Sequence, residues 1–235
     1  MSTIEATTTL GDLVTSVPRA AELLEGLGVD YCCGGRRTLT EACAQHGLDA
    51  HTVAVLLNGL AQDDDRSAVD PHDVARSSIA ELCDHIVAAH HDWLRKELPA
   101  TGELAATVVR VHRRTHPDLV DVQRLFAGMR SELEAHMALE ERDVFPACRR
   151  VEAGAAGALD PALLGQLEDE HADVGDALCA LRELSGGYDE SRALCGTHRR
   201  LMRRLHALEL DVHQHVHEEN NVLFGKVRAR LAAAA

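Results

Sequence analysis

The sequence predicts an all-α protein: a small N-terminal helical domain followed by an antiparallel four-helix bundle. Three observations lead there. Apolar residues make up 46% of the 235 residues and aromatic ones only 3%, a balance dominated by Ala and Leu that favours helices over a sandwich or barrel. Apolar positions recur at steps of three and four over long stretches. Short breaks rich in Gly and Pro separate four such stretches, as neighbouring antiparallel helices require.

Residues 1–61 read as a compact set of short helices. Leu10, Leu13, Val14 and Val17 repeat at helical spacing behind Thr9, an N-cap with Asp12 three residues on. Pro18 opens a second helix through Ala21, Leu24 and Leu27, weakened at its end by Gly26 and Gly28. Tyr31-Cys32-Cys33-Gly34-Gly35 is a turn, because paired glycines interrupt regular structure. Two more short helices fit 38–47 and 50–61. Residues 62–70, polar and charged around Asp63–Asp65, read as a linker to a bundle over 71–235.

In the bundle, Ile79, Leu82, Ile86, Val87, Leu94 and Leu98 mark the first long helix, expected to end at Pro99 and Gly102. A short piece over 102–115 closes at His116-Pro117, since the residue before proline avoids the helical region. The second long helix covers about 118–149. Asp160 caps the third, which runs to about Leu184. The fourth covers about 189–232.

Charge narrows the partners. With 24 Lys and Arg against 38 Asp and Glu, the net charge of −14 offers no electrostatic footprint for nucleic acid or an anionic membrane. No apolar run is long enough to span a bilayer, and no basic and apolar leader opens the chain. A soluble cytoplasmic protein is expected. Seven cysteines, an odd count without a leader, point to a reducing compartment. Cys43, Cys83, Cys148, Cys179 and Cys195 stand singly in helical contexts and read as small buried apolar side chains.

The 15 histidines are the anomaly. On the second helix Val122, Phe126, Met129, Leu133 and Val144 form the apolar stripe, and His136 and Glu140 fill its missing steps. On the fourth, Leu208, Val212, Val216 and Leu223 form the stripe, with His215 and Glu219 within it. His171 sits in the stripe of the third, between Leu167 and Val174. His-x-x-x-Glu thus replaces core residues twice, and a spacing of four puts imidazole and carboxylate one turn apart on one side. Two interior carboxylates with no Lys or Arg on their stripes call for a cation, because an unpaired buried charge costs several kcal/mol. His213 and His217 fall off the stripe and read as surface or supporting groups. Periodicity does not choose between His90 and His91. His112 lies on the short connecting piece; on one straight helix it would be about 36 Å from His136, so the break at Pro117 is needed if both reach one site. Imidazole and carboxylate without thiolate suit non-haem iron or manganese better than a structural zinc.

His91, His112, His136-x-x-x-Glu140, His171 and His215-x-x-x-Glu219 resemble the ligand series of a haemerythrin-like di-iron bundle. Glu141-Arg142-Asp143-Val144-Phe145-Pro146 and Asn220-Asn221-Val222-Leu223-Phe224, with Tyr31-Cys32-Cys33-Gly34-Gly35 ahead, resemble the repair of iron centres family of iron–sulfur cluster repair proteins over about 8–228. Gly225 departs from the proline expected after Phe224. The resemblance selects His91 over His90 and implies two iron ions, oxo- or hydroxo-bridged, with both glutamates bridging. On that count two six-coordinate irons keep one position open for O₂, NO or peroxide.

The resemblance further implies repair of iron–sulfur clusters damaged by oxidative or nitrosative stress, by iron donation or by nitric oxide reductase-like chemistry. Damaged iron–sulfur proteins would be the partners, and a homodimer is the candidate assembly. A haemerythrin-like protein that binds or senses O₂, NO or iron without repair is the alternative, and the Tyr-Cys-Cys-Gly-Gly segment argues against it. Cys32 and Cys33 are the candidate reactive thiols, expected to have thiolate character beside Arg36 and Arg37.

Overall fold

The computed structural model describes residues 4–64, 74–155, 157 and 159–233. No strand occurs among the described residues; one isolated antiparallel bridge pairs Thr9 with Thr38. No described helix is long and apolar enough to cross a membrane. Most of the expected linker lies outside the described residues, and its first three residues end a helix. The chain divides into two compact units, Met1–Leu82 with Val151–Ala156 and His213–Ala235, and Cys83–Arg150 with Gly157–Val212. The N-terminal helices therefore share a unit with the C-terminal helix instead of standing alone.

In the first unit, α1 (Leu10–Ser16) starts where Thr9 Oγ1 accepts from the Asp12 N–H. After α2 (Ala20–Gly26), the turn containing the paired cysteines leads to α3 (Leu39–Gln45), opened by a capping box between Thr38 and Glu41. Helix α4 (Ala50–Asp64) follows. Leu10, Leu13, Leu24, Leu39 and Leu57 are fully or almost fully buried and make the small core. Backbone bonds from Leu10 N to Arg37 O (2.9 Å) and from Gly11 N to Gly35 O (2.8 Å) tie the cysteine turn to α1. Glu152 caps α5 (Ile79–Ile86), its carboxylate accepting from the N–H groups of Ile79 and Ala80 at 2.8 and 3.0 Å.

The second unit corrects one expectation. Helix α6 (Asp92–His112) runs straight through Pro99 and Gly102. A proline inside a helix costs about 3 kcal/mol in isolation, but Leu94, Leu98, Thr101, Ala105 and Val108 bury one continuous face across it. Gly102 serves contact, not termination: a Cβ there would lie 3.3 Å from Arg130 and 3.6 Å from Phe126. A short turn then leads to α7 (Leu119–Leu139), which packs on α6 and on α9 (Pro161–Leu184), capped by Asp160 as expected. Helix α8 (Phe145–Glu152) continues from α7, and α10 (Gly196–His217) is continued by α11 (Phe224–Ala233), helical through Gly225.

Three π-helical turns interrupt these helices: Val87–His91, Glu140–Val144 and Glu218–Leu223. Each adds a residue to one turn, as single-turn bulges at functional sites commonly do. Each also contains a candidate ligand: His91, Glu140 and Glu219.

Candidate metal centre

The π turn at Val87–His91 explains why periodicity left two rows on the first long helix. Ile79, Leu82 and Ile86 point inward before the bulge, and the next inward residue is five positions on, at His91, not four. His91 is fully buried, stacked on Phe145 with ring centroids 5.6 Å apart. His90 is buried too but faces Asp211, with Nδ1 3.0 Å from its carboxylate.

Within the second unit His91, His136, Glu140 and His171 come together. Glu140 is fully buried, with Oε1 3.1 Å from His136 Nε2 and Oε2 3.4 Å from His91 Nε2. His171 Nε2 lies 2.9 Å from His136 Nε2. The far side of two rings decides what those nitrogens can do. His91 Nδ1 is 2.7 Å from Glu141 Oε1, and His136 Nδ1 is 2.7 Å from Glu170 Oε2. Burial alone would raise the Glu141 carboxyl, but hydrogen bonds from His91 and Arg95 outweigh it and hold it below the usual range. A carboxylate only accepts, so each Nδ1 carries a proton; in the neutral tautomer, the one a metal takes, the Nε2 lone pair is turned toward Glu140. Lone pairs then face carboxylate oxygens that accept no hydrogen bond. Among the described residues no Lys or Arg pairs with Glu140. Acceptors crowded in this way fit a cation between them, and a carboxylate on the outer nitrogen is how metal-ligating histidines are oriented.

In the first unit His215 and Glu219 repeat the pattern. Both are buried, at 1% and 0% exposure, with His215 Nε2 3.1 Å from Glu219 Oε1. His213 and His217 belong to a different face, and His217 is no surface group. It is 1% exposed, its Nε2 3.3 Å from Thr15 Oγ1 and its Nδ1 3.2 Å from Asn221 Nδ2. Burial pushes it down to about 4. His213 Nδ1 lies 3.4 Å from Glu25, beside the Tyr31 ring.

His112 is not brought to these residues. It ends the unbroken α6, about 32 Å beyond His91 at 1.5 Å per residue, and its Nε2 lies 3.2 Å from Cys195 Sγ. The expected helix end at Pro99 and Gly102 does not occur.

Cys32 and Cys33 sit in the turn before α3 with their sulfurs 3.9 Å apart and the Cys32 thiol 3.4 Å from Asp30 Oδ1. Asp30, Cys32 and Cys33 form a metal-sized group of donors. The thiolate expected beside Arg36 and Arg37 is not what the turn favours. The hydrogen bond with Cys33, burial and the Asp30 carboxylate all push the Cys32 thiol up. Arg37 instead pairs with Asp30 at 3.1 Å. Asn221 Nδ2 donates to Cys32 O at 3.0 Å, so the turn is gripped by the turn that follows Glu219. Glu141, Glu170 and Asn221 were missed by sequence reasoning, although the first two adjoin candidate ligands in the chain.

Residues 6–61 match a family model described as the ScdA N-terminal domain of unknown function, and residues 82–227 match the haemerythrin HHE cation-binding domain. The chain is 31% identical over 217 residues to the iron–sulfur cluster repair protein ScdA of Staphylococcus haemolyticus, covering 92% of this chain and 96% of that one. It is 35% identical over 216 residues to the iron–sulfur cluster repair protein YtfE of Edwardsiella ictaluri, covering 92% and 94%. With the YtfE of Citrobacter koseri it shares 30% over 220 residues, covering 94% and 96%.

Proposed function

We propose that this chain, which belongs to the iron–sulfur cluster repair family, holds two iron ions and uses them to restore iron–sulfur clusters damaged by oxidative or nitrosative stress. In this reading His91, His136, Glu140 and His171 would hold iron, with His215 and Glu219 as further ligands and the two glutamates as the carboxylates that would be shared between the ions. The observation that carries it is the meeting of acceptors at Glu140, whose two oxygens face two different imidazoles. The second carboxylate is supported by repetition: the same spacing, the same burial and a π-helical turn at each glutamate. Imidazole and carboxylate donors without thiolate suit iron.

Iron held there supplies exchangeable coordination positions for O₂ or NO and a store of metal for damaged clusters. The chain's own part is preparation. Glu141 and Glu170 hold the Nδ1 protons of His91 and His136, keeping each Nε2 turned inward. Phe145, buried and stacked on His91, covers one face of that donor. Cys32 and Cys33 act on the client side of the reaction, as thiols that contact metal or exchange electrons. Damaged iron–sulfur proteins of the cytoplasm are the partners.

Iron analysis and reactivation assays test the proposal. Protein purified without added metal should carry about two irons per chain, and Glu140→Ala should lose them while the exposed control His206→Ala keeps them. The wild type should then reactivate an NO-damaged cluster enzyme. Equal iron in Glu140→Ala would end the bridging role. Full iron with no reactivation would favour a binding or sensing protein.

A further inference from the structure

The residue misplaced by the sequence reading has a chemical role of its own. Cys195 is the N-cap of α10: its carbonyl accepts from Arg199 N at 3.0 Å, and its sulfur accepts from the His198 N–H at 3.4 Å. The same sulfur lies 3.2 Å from His112 Nε2, where its S–H can donate to the imidazole. A thiol hydrogen-bonded to an imidazole is the arrangement of a nucleophile and its base. Cys195 is half-buried, so the pair is reachable.

A cavity of about 250 Å³ opens next to this segment, lined by Leu194 and His198, by the apolar Leu119, Val122 and Leu201, and by the charged Asp118 and Arg192. His198 is 8% exposed, and its Nδ1 accepts from Leu194 N at 3.2 Å. Its Nε2–H is therefore the donor it has left to offer. Burial and the neighbouring His112 and His116 push this imidazole down, which keeps it a neutral donor. Ser185 Oγ, also at the cavity, is buried without a hydrogen-bond partner. The cavity mixes apolar side chains with the His198 and Ser185 donors, a lining that admits a small polar molecule rich in oxygen lone pairs.

We propose that Cys195 and His112 form a thiol–imidazole pair that reduces small hydroperoxides. His112 Nε2 takes the thiol proton as the sulfur attacks the terminal peroxide oxygen. The S–O bond forms as the O–O bond breaks. Cys195 is oxidised by two electrons to a sulfenic acid, and the leaving oxygen takes the proton from His112 and departs as an alcohol, or as water from hydrogen peroxide. The pair is independent of the metal site, and its test does not depend on iron.

The full-length protein contains its own control, the exposed Cys179. With limiting iodoacetamide at neutral pH and peptide mass spectrometry, half-buried Cys195 should alkylate at least about tenfold faster than Cys179, within what a positioned base supplies. With tert-butyl hydroperoxide and dimedone, the sulfenic acid adduct should appear first on Cys195. His112→Gln should bring Cys195 down to the Cys179 rate or below in both assays. Slower alkylation of Cys195 than of Cys179 in the wild type would overturn the proposal, as would an unchanged rate in a folded His112→Gln variant. Fast alkylation without a dimedone adduct would refute the peroxide chemistry. The wild-type comparison needs no variant, so poor folding of His112→Gln leaves the test intact.

Discussion

The Gly35–Asn221 contact yields a sharp test of why the cysteine turn ends in two glycines. The Asn221 side chain is wedged against Gly11 and Gly35, whose backbones are joined by the 2.8 Å bond from Gly11 N to Gly35 O. A Cβ on Gly35 would lie 2.5 Å from Asn221 Cγ and 2.6 Å from its Nδ2, distances no relaxed contact shows. Gly35→Ala must therefore expel the Asn221 amide from its bonds to Cys32 O (3.0 Å) and Tyr31 O (3.4 Å). Overpacking costs about 1–3 kcal/mol, and each of the two lost bonds about 1 kcal/mol, so the substitution should destabilise by roughly 3–5 kcal/mol. Asn221→Ala alone removes both of these bonds and should cost about 2 kcal/mol. In the double variant the new methyl enters the space the amide vacated. Its cost should fall short of the sum by at least about 1 kcal/mol. Urea unfolding of the four proteins, followed by far-UV circular dichroism, measures the cycle. Additivity within about 0.5 kcal/mol would show that the glycines are not there for Asn221.

Other expectations concern the buried polar groups. Glu141→Gln should weaken iron binding about 10–100-fold by releasing the His91 Nδ1–H, read by competition with a chelator; an unchanged affinity would remove Glu141 from the orienting role. His217, held at about 4 by burial, is neutral in the fold down to that pH while the unfolded chain takes up its proton near the ordinary value of 6.5. Its stabilisation is thus complete above pH 6.5 and lost as pH falls toward 4, to the extent of about 3 kcal/mol. His217→Gln should flatten that part of the metal-free stability profile, and an unchanged slope would assign it to other groups. Tyr188→Phe removes the 2.6 Å bond to the buried Glu209 carboxylate and should cost about 1.5–3 kcal/mol in thermal or urea unfolding; no loss would mean that Arg182 alone satisfies Glu209.

The sequence by itself determined the helical class and most of the buried residues of the candidate centre. Helical periodicity is local, so Val122, Phe126, Met129 and Leu133 reveal the inward face of α7, and His136 and Glu140 declare themselves as polar intruders on it. The N-caps at Thr9 and Asp160 were legible for the same reason, since a cap is made by residues within a few positions. The tertiary structure decided what periodicity cannot carry. The π turn before His91 resets the register by one residue, and its sequence Val-Ala-Ala-His-His has no local mark of it. Pro99 and Gly102 look like a helix end because propensity counts the local cost alone, whereas packing on α7 outweighs it. That one fact carried His112 away from the metal candidates and set it against Cys195, 83 positions along the chain. Asn221 and the cysteine turn lie 189 positions apart, and only folding brings the amide onto the backbone of Cys32. Spacing along one helix is written in the order of residues; which helices meet, and at what depth, is settled by the free energy of burying their faces together.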